Sequence, residues 1–302
     1  MLDEGGTGID GMPAAVAALE RDAERRTTPC GSGRVVWRLW GSGPAVVLFH
    51  GAYGSWTHWL KTIPALAQSH RVIVPDIPGF GDSDAPPEPV SVDSLAAILA
   101  AGVEEIIPGQ SVAFAGFSFG GQMAGGCARL LKSRTRQVIL VSTSNLGVQR
   151  GAFEPNVGWR KLQTRAERDA AHRRNLEIVM FADPAGIDDQ AVWIQRSNAE
   201  RSQLRGRPLQ PVTQLRLVLA EAGCPIALVC GAEDPRFKSS LGPIREAILA
   251  IRTDAEVIVL EGAGHWLSYE APDRLNRALL GLLDKYESAR SGEDAPTLLR
   301  SP

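Results

Sequence analysis

Cysteine is scarce in this chain of 302 residues: only Cys30, Cys127, Cys224 and Cys230 occur, with no CxxC pair and no metal-ligand spacing to histidine. That excludes a disulfide framework and a zinc ribbon, and a reducing compartment is expected. Charge of one sign is missing too. A formal net charge of -2 with a pI near 6.2 supplies no field to collect nucleic acid or an anionic membrane, so the expected partner is a small molecule. No apolar run approaches the roughly 20 residues that span a bilayer. The first residues, Met-Leu-Asp-Glu-Gly-Gly, carry acids where a signal peptide carries bases, so a cytoplasmic protein with no membrane association is expected. Internal repeats and low-complexity tracts are absent as well.

What is present is a rhythm of short apolar runs, each ending in a polar or glycine-rich turn: Ala45–Phe49, Val72–Val74, Val112–Ala115, Val138–Val141, Pro225–Cys230 and Glu256–Leu260. Runs of this length with no alternation read as parallel strands buried on both faces. Helical stretches lie between them, at Trp56–Ala67 behind a Ser55 cap, Val92–Ile107, Gln122–Leu131 and Pro272–Tyr286. Alternation of strand and helix predicts an α/β fold with a doubly wound, mostly parallel sheet. Arg34–Trp40 reads as an edge strand, and Pro13–Arg26 as a short helix.

The rhythm pauses between residues 145 and 211, where two polar helical stretches and no strand are read. The expected organisation is therefore an N-terminal helix and linker (1–33), a core in two pieces (34–144 and 212–287), an inserted helical cap (145–211) and a flexible tail (288–302).

The chemistry gathers where strands end. Ser118 sits in Gly116-Phe117-Ser118-Phe119-Gly120, directly after one strand and opening a helix. This strand-turn-helix setting supports a G-x-S-x-G nucleophile, because glycines on either side let strand and helix approach while the serine takes a strained turn. A serine hydroxyl needs a base to take its proton and an acid to orient that base. His265, in Glu261-Gly262-Ala263-Gly264-His265-Trp266, follows the last strand and is the expected base. Asp234, in Gly231-Ala232-Glu233-Asp234-Pro235, is the expected acid, with Glu233 as its rival; Ser142-Thr143-Ser144-Asn145 offers no carboxylate. His50, His58, His70 and His172 have no matching partner in the sequence and are read as structural or solvated.

An oxyanion needs two amide donors. The Phe119 amide is one candidate; the other is Ala52, with Tyr53 as second choice, in His50-Gly51-Ala52-Tyr53-Gly54. Tyr53, Phe117 and Trp266, with Trp56, Trp59, Trp193 and Phe119, are candidate pocket aromatics, though core packing accounts for such residues equally well. Arg and Lys outnumber Asp and Glu in the 145–211 segment. Solvated helix faces explain that excess, including Arg168, Arg173, Arg174, Arg205 and Arg207; if any arginine holds a substrate carboxylate, Arg196 and Arg201 are the candidates.

From about Val35 to Tyr286 the chain resembles the α/β-hydrolase family in its capped form. Besides the Ser118 turn, His50-Gly51 resembles the family's oxyanion loop, and Asp76-Ile77-Pro78-Gly79-Phe80-Gly81-Asp82-Ser83 its Asp-x-x-Gly-x-Gly-x-Ser turn, in which Asp82 and Ser83 are read as structural. The order Ser118, Asp234, His265 is that of the family. The resemblance implies a cofactor-free serine hydrolase acting on a small-molecule ester through an acyl-enzyme. Three alternatives stand beside it. His265-Trp266 is similar to the histidine region of carbon–carbon hydrolases of aromatic ring-cleavage products, whereas Phe117 and Ser268 occupy positions where those enzymes carry Asn and Gln. Phe117 is also similar to cofactor-free perhydrolases and haloperoxidases. A slow-turnover ligand receptor is the reading from outside enzymology.

Overall fold

The computed structural model describes residues 11–143, 145–148, 154–204 and 214–293, with side chains to residue 285. The chain runs α1 (Ala14–Arg21), β1 (Glu24–Cys30), β2 (Gly33–Trp40), β3 (Ala45–Phe49), α2 (Ile63–Leu66), β4 (Arg71–Pro75), α3 (Val92–Ile106), β5 (Val112–Phe117), α4 (Gly120–Leu130) and β6 (Thr135–Val141). After β6 come α5 (Arg165–Val179), α6 (Asp189–Arg201), α7 (Leu215–Ala222), β7 (Ile226–Gly231), α8 (Leu241–Ile251), β8 (Glu256–Leu260), α9 (Leu267–Glu270) and α10 (Pro272–Glu293).

Every residue of β3, β5, β6 and β7 is buried, as expected for strands covered on both faces. Alternate side chains feed two cores: Val47 and Phe49 enter one, Val46 and Leu48 the other. All eight strands form one sheet in the order β1-β2-β4-β3-β5-β6-β7-β8, parallel from β4 to β8 and antiparallel at β1/β2 and β2/β4. From β3 the chain moves to β4 on one side, then α3 carries it across to β5 on the other. The order reverses there, and such a reversal opens a crevice beyond the strands' C-terminal ends. Phe49 pairs with Gly116 at that edge, so the segments beginning at His50 and Phe117 leave side by side.

Three expectations are corrected. The helix read over Pro13–Arg26 stops at Arg21, and the supposed linker contains β1, whose Thr28 pairs with Val35 and is buried. Branched Thr27 and Thr28 suit a strand, and the partner edge of β2 decides it. The stretch Trp56–Ala67 is not one helix but a 3-10 turn at Trp56–Trp59 followed by α2, in which Pro64 takes a first-turn position. Proline lacks the N–H that a continuous helix would need there. Ser55 does cap the 3-10 turn, accepting from the Thr57 amide. Finally, helix α10 runs on to Glu293, into the stretch read as a tail, while 294–302 lie outside the described residues.

Between β6 and β7 the described residues contain helices and no strand. This segment is tied to the sheet's loop edge at three places. Asn198 of α6, fully buried, hydrogen-bonds Ser55 Oγ at 2.7 Å and Thr57 Oγ1. Gln203 donates to the carbonyls of Gly79 and Ser83, and Arg201 pairs with Asp82 at 2.8 Å. At the end of α5, the Met180 carbonyl accepts both the His265 and Trp266 amides at 2.9 Å.

Candidate active site

Ser118 follows β5 in a left-handed conformation, φ 52°, which an L-residue adopts at a cost of about 1–3 kcal/mol. Its amide donates to the Val141 carbonyl at 2.8 Å, holding the turn against the end of β6. The turn tolerates nothing larger than glycine at its flanks. A Cβ on Gly116 would stand 2.3 Å from the Gly120 carbonyl oxygen, and one on Gly120 2.2 Å from that of Phe49.

Asp234 and His265 meet from separate loops, beyond β7 and β8. His265 Nδ1 lies 2.6 Å from Asp234 Oδ2, and both residues are almost wholly buried. Asp234 Oδ1 accepts the Arg236 amide at 2.9 Å, which fixes the carboxylate's orientation. Glu233, the rival acid, is exposed. Ser118, Asp234 and His265 thus stand at the C-terminal edge of three parallel strands, and the Phe117 ring lies 5.0 Å from the imidazole.

Among the described residues, the Ala52 and Phe119 amides are matched to no backbone acceptor. Two buried histidines surround the loop that carries Ala52. His50 donates from Nδ1 to the Gly51 carbonyl at 2.8 Å and accepts the Ile77 amide at Nε2. His58 accepts the Gly51 amide at Nδ1, 3.2 Å away. An amide can only donate and a carbonyl only accept, so the rings are opposite neutral tautomers.

Burial holds both imidazoles below their ordinary pKa, His58 well below it. In the unfolded chain each takes up a proton below about pH 6.5. Between the folded and unfolded values the unfolded state binds the extra protons, so stability is full above about pH 6.5 and falls as pH drops below it. The expected slope is up to about 1.4 kcal/mol per pH unit for each histidine. Urea unfolding midpoints between pH 7.5 and 5 check this, and a flat profile contradicts it.

The remaining candidates are distributed differently. Trp266 is fully buried, donates from Nε1 to the His58 carbonyl at 3.0 Å and packs on Phe181 and Tyr269: it is a packing residue behind the base. Phe117 packs edge-on against His58 and Trp59. Tyr53 is exposed, beside Phe80. Neither arginine is free for a substrate carboxylate. Arg196 is bound to Asp169 at 2.7 Å and to Glu200, in the wall of a cavity of about 820 Å³ between α1, α5 and α6, and Arg201 is bound to Asp82. Arg173 and Arg174 form exposed ion pairs, whereas Arg205 and Arg207 lie outside the described residues.

Asp82 and Ser83 occupy structural positions. Buried Arg38 reaches the carboxylates of Glu20, Asp76 and Asp82, and Ser83 Oγ donates to the Asp76 carbonyl while accepting the Val36 amide. The thiols are inert in character: all four cysteines are buried, which pushes Cys224 up to about 11 and Cys230 up to about 12.

Two residues with a place in this site were invisible in the sequence. One is His58. The other is Glu270, whose carboxylate accepts the Gly264 amide at 2.6 Å and the Ala182 and Asp183 amides, stapling the His265 loop to the end of α5. A glutamate three residues past a small helix's start carries no signal of that role.

The sequence pattern of the alpha/beta hydrolase family matches residues 46–278, most of the chain and all of the site. The chain belongs to the alpha/beta hydrolase family. Among this hydrolase's relatives is a "dihydrolipoyllysine-residue acetyltransferase component of acetoin cleaving system" from Pseudomonas putida, 28% identical over 81% of this chain; the hydrolase spans only 64% of that protein. A 2-hydroxy-6-oxo-6-phenylhexa-2,4-dienoate hydrolase from Burkholderia cepacia is 27% identical over 80% of this chain and 88% of its own length. A pimeloyl-[acyl-carrier protein] methyl ester esterase from Nitrosomonas europaea is 26% identical, covering 77% and 85%. In structure, a putative aryl esterase from Burkholderia cenocepacia superposes with a TM-score of 0.73 at 21% identity, over 88% of this chain and all of that one, a likeness of fold. No helix among the described residues is long and apolar enough to cross a membrane.

Proposed function

We propose that this hydrolase cleaves a small-molecule ester, with Ser118 as nucleophile, His265 as base and Asp234 as the acid that orients it. The observation that carries this reading is the buried His265–Asp234 contact of 2.6 Å at the sheet edge from which Ser118 projects in a left-handed turn. With Nδ1–H donated to the carboxylate, Nε2 of His265 is the unprotonated nitrogen and takes the Ser118 proton as Oγ attacks the ester carbonyl. The carbonyl oxygen becomes an oxyanion, for which the Ala52 and Phe119 amides are the donors. His265 then protonates the departing alcohol, and water attacks the acyl-enzyme by the same steps in reverse roles.

The segment 145–211 acts as a cap over this edge in this reading, supported by its bonds to Ser55, Thr57, Gly79 and the His265 loop. A second reading, carbon–carbon hydrolysis of a ring-cleavage dienone, draws on the 27% identical relative of that activity and on the tryptophan that follows the base. Both readings use the same nucleophile. A fluorophosphonate probe is expected to modify Ser118, detected by peptide mass, and a panel of nitrophenyl esters, lactones and vinylogous 1,5-diketones then separates the two substrates. A folded protein whose Ser118 stays unmodified contradicts both.

A further inference from the structure

His58 is one of the buried imidazoles that the proposed chemistry does not use, and segments of the site meet around it. Its Nδ1 accepts the Gly51 amide. Its carbonyl accepts both Trp266 Nε1–H and Ser268 Oγ–H, the latter at 2.5 Å, from the segment that follows His265. Its neighbours Ser55 and Thr57 hold Asn198 of α6. Among the described residues Nε2 has no hydrogen-bond partner, so none of them competes with Gly51 for the ring's orientation.

The loop needs such a support for a reason that lies in Gly51. A Cβ at Gly51 would stand 3.0 Å from the Phe117 ring, which would have to give by a few tenths of an ångström, and glycine there leaves φ and ψ the least restrained of any residue. The peptide planes before and after Gly51 must then be held from outside. The plane after it is held through the Gly51 carbonyl, which accepts from His50 Nδ1–H and the Gly54 amide. Because a trans peptide is planar, this aims the Ala52 N–H in the opposite direction. The plane before it is held through the Gly51 N–H by His58. The ring also fills the loop's concave side, since a Cβ on Gly54 would stand 2.3 Å from His58 Cε1.

We propose that His58 is a positioning residue for acyl transfer: its bare Nδ1 holds the peptide plane before Gly51, next to the plane that carries the Ala52 amide, and its carbonyl ties that loop to the loop of the base. This rests on the reading of Ser118 as nucleophile and of Ala52 as an oxyanion donor. His58 touches neither substrate nor reacting atoms; it keeps donor and base at a fixed separation while charge develops on the carbonyl oxygen.

The test compares His58→Leu, which removes the acceptor at similar bulk, with His58→Asn, whose Oδ1 can take the Gly51 amide in place of Nδ1. Single-turnover acylation by a nitrophenyl ester is expected to slow about 100-fold in H58L, the scale of a lost oxyanion donor, with the half-saturating ester concentration within about threefold of wild type. H58N is expected to recover at least about tenfold of that loss, which general loosening of the fold would not reproduce. Acylation of H58L at the wild-type rate, or H58N no faster than a folded H58L, overturns the proposal. A second measurement stands apart from activity: nitrogen NMR of histidine-labelled wild-type protein at pH 7 is expected to show His58 neutral, with the proton on Nε2 and a hydrogen-bonded Nδ1. An imidazolium, or a proton on Nδ1, overturns the proposal. That spectrum decides if H58L does not fold. If wild-type Ser118 fails to acylate, the ester reading falls, and the spectrum still decides the role of His58 in the loop.

Discussion

Ser118→Ala is expected to lower kcat on the best ester by about 10⁶-fold, because the proposed nucleophile, acting as one unit with its base, contributes nearly all of the covalent route's advantage. What remains is the rate that binding and the two amides supply to direct attack by water, roughly 10³–10⁴ above the uncatalysed reaction. The substitution removes one oxygen from a partly exposed side chain, so the urea midpoint is expected to stay within about 0.5 kcal/mol of wild type in stability. Initial rates on protein with matched circular dichroism check it. Retention of more than about 1% of wild-type kcat would sink the nucleophile assignment, since so small a loss is the scale of a supporting group and not of a nucleophile.

Asp234→Asn is the second large effect, expected at about 10⁴-fold in kcat with little change in the binding of ester. The reason is the direction of one proton. Asp234 Oδ2, 2.6 Å from His265 Nδ1, favours the tautomer with the hydrogen on Nδ1 and Nε2 unprotonated, the form that the proposed base needs. An asparagine can turn its NH₂ toward Nδ1, which favours the opposite tautomer, with Nε2 already protonated and unable to accept. The neighbouring Glu233→Gln is the control, because that side chain is exposed and its change is expected to alter kcat by less than about threefold. If the two variants lose activity equally, the acid has been misassigned.

Each of these expectations is half visible in the sequence. The strand runs announced themselves because a parallel strand must be apolar on both faces, and the structure buries every residue of β3, β5, β6 and β7. The turn at Ser118 was readable because its constraint is local: glycines four residues apart are what a strand-to-helix reversal demands. Asp234 and His265 could be proposed from their places after strands, yet nothing local separated Asp234 from Glu233. That choice belongs to the direction in which each side chain leaves its loop, one buried against His265 and the other in solvent.

The polar residues of the upper edge were harder. His58 looked like a histidine without a partner, because its partners are Gly51 on one side and, across 208 and 210 residues, Trp266 and Ser268 on the other. Arg196 and Arg201 looked available for a carboxylate until Asp169, Glu200 and Asp82 were found to hold them. Trp266, for which a pocket wall and core packing were equally open, is packed and fully buried behind His265. Charge and aromaticity in a sequence say what a side chain can do, while its neighbours decide what it does.

By itself, then, the sequence determined the alternation of elements, the family's motifs and the residue types at the ends of three strands, since these follow from periodicity and from backbone limits at glycine. The tertiary structure alone decided which acid faces His265, which arginines are spent on ion pairs, and that His58 and Glu270 join the loops around Gly51 and His265 to each other and to the helices beyond β6. Such contacts depend on the sheet order β4-β3-β5-β6-β7-β8, which brings distant segments to one edge. Hydrogen bonds between those segments have no local pattern to betray them, because neither partner's own neighbourhood in the chain is constrained by the bond.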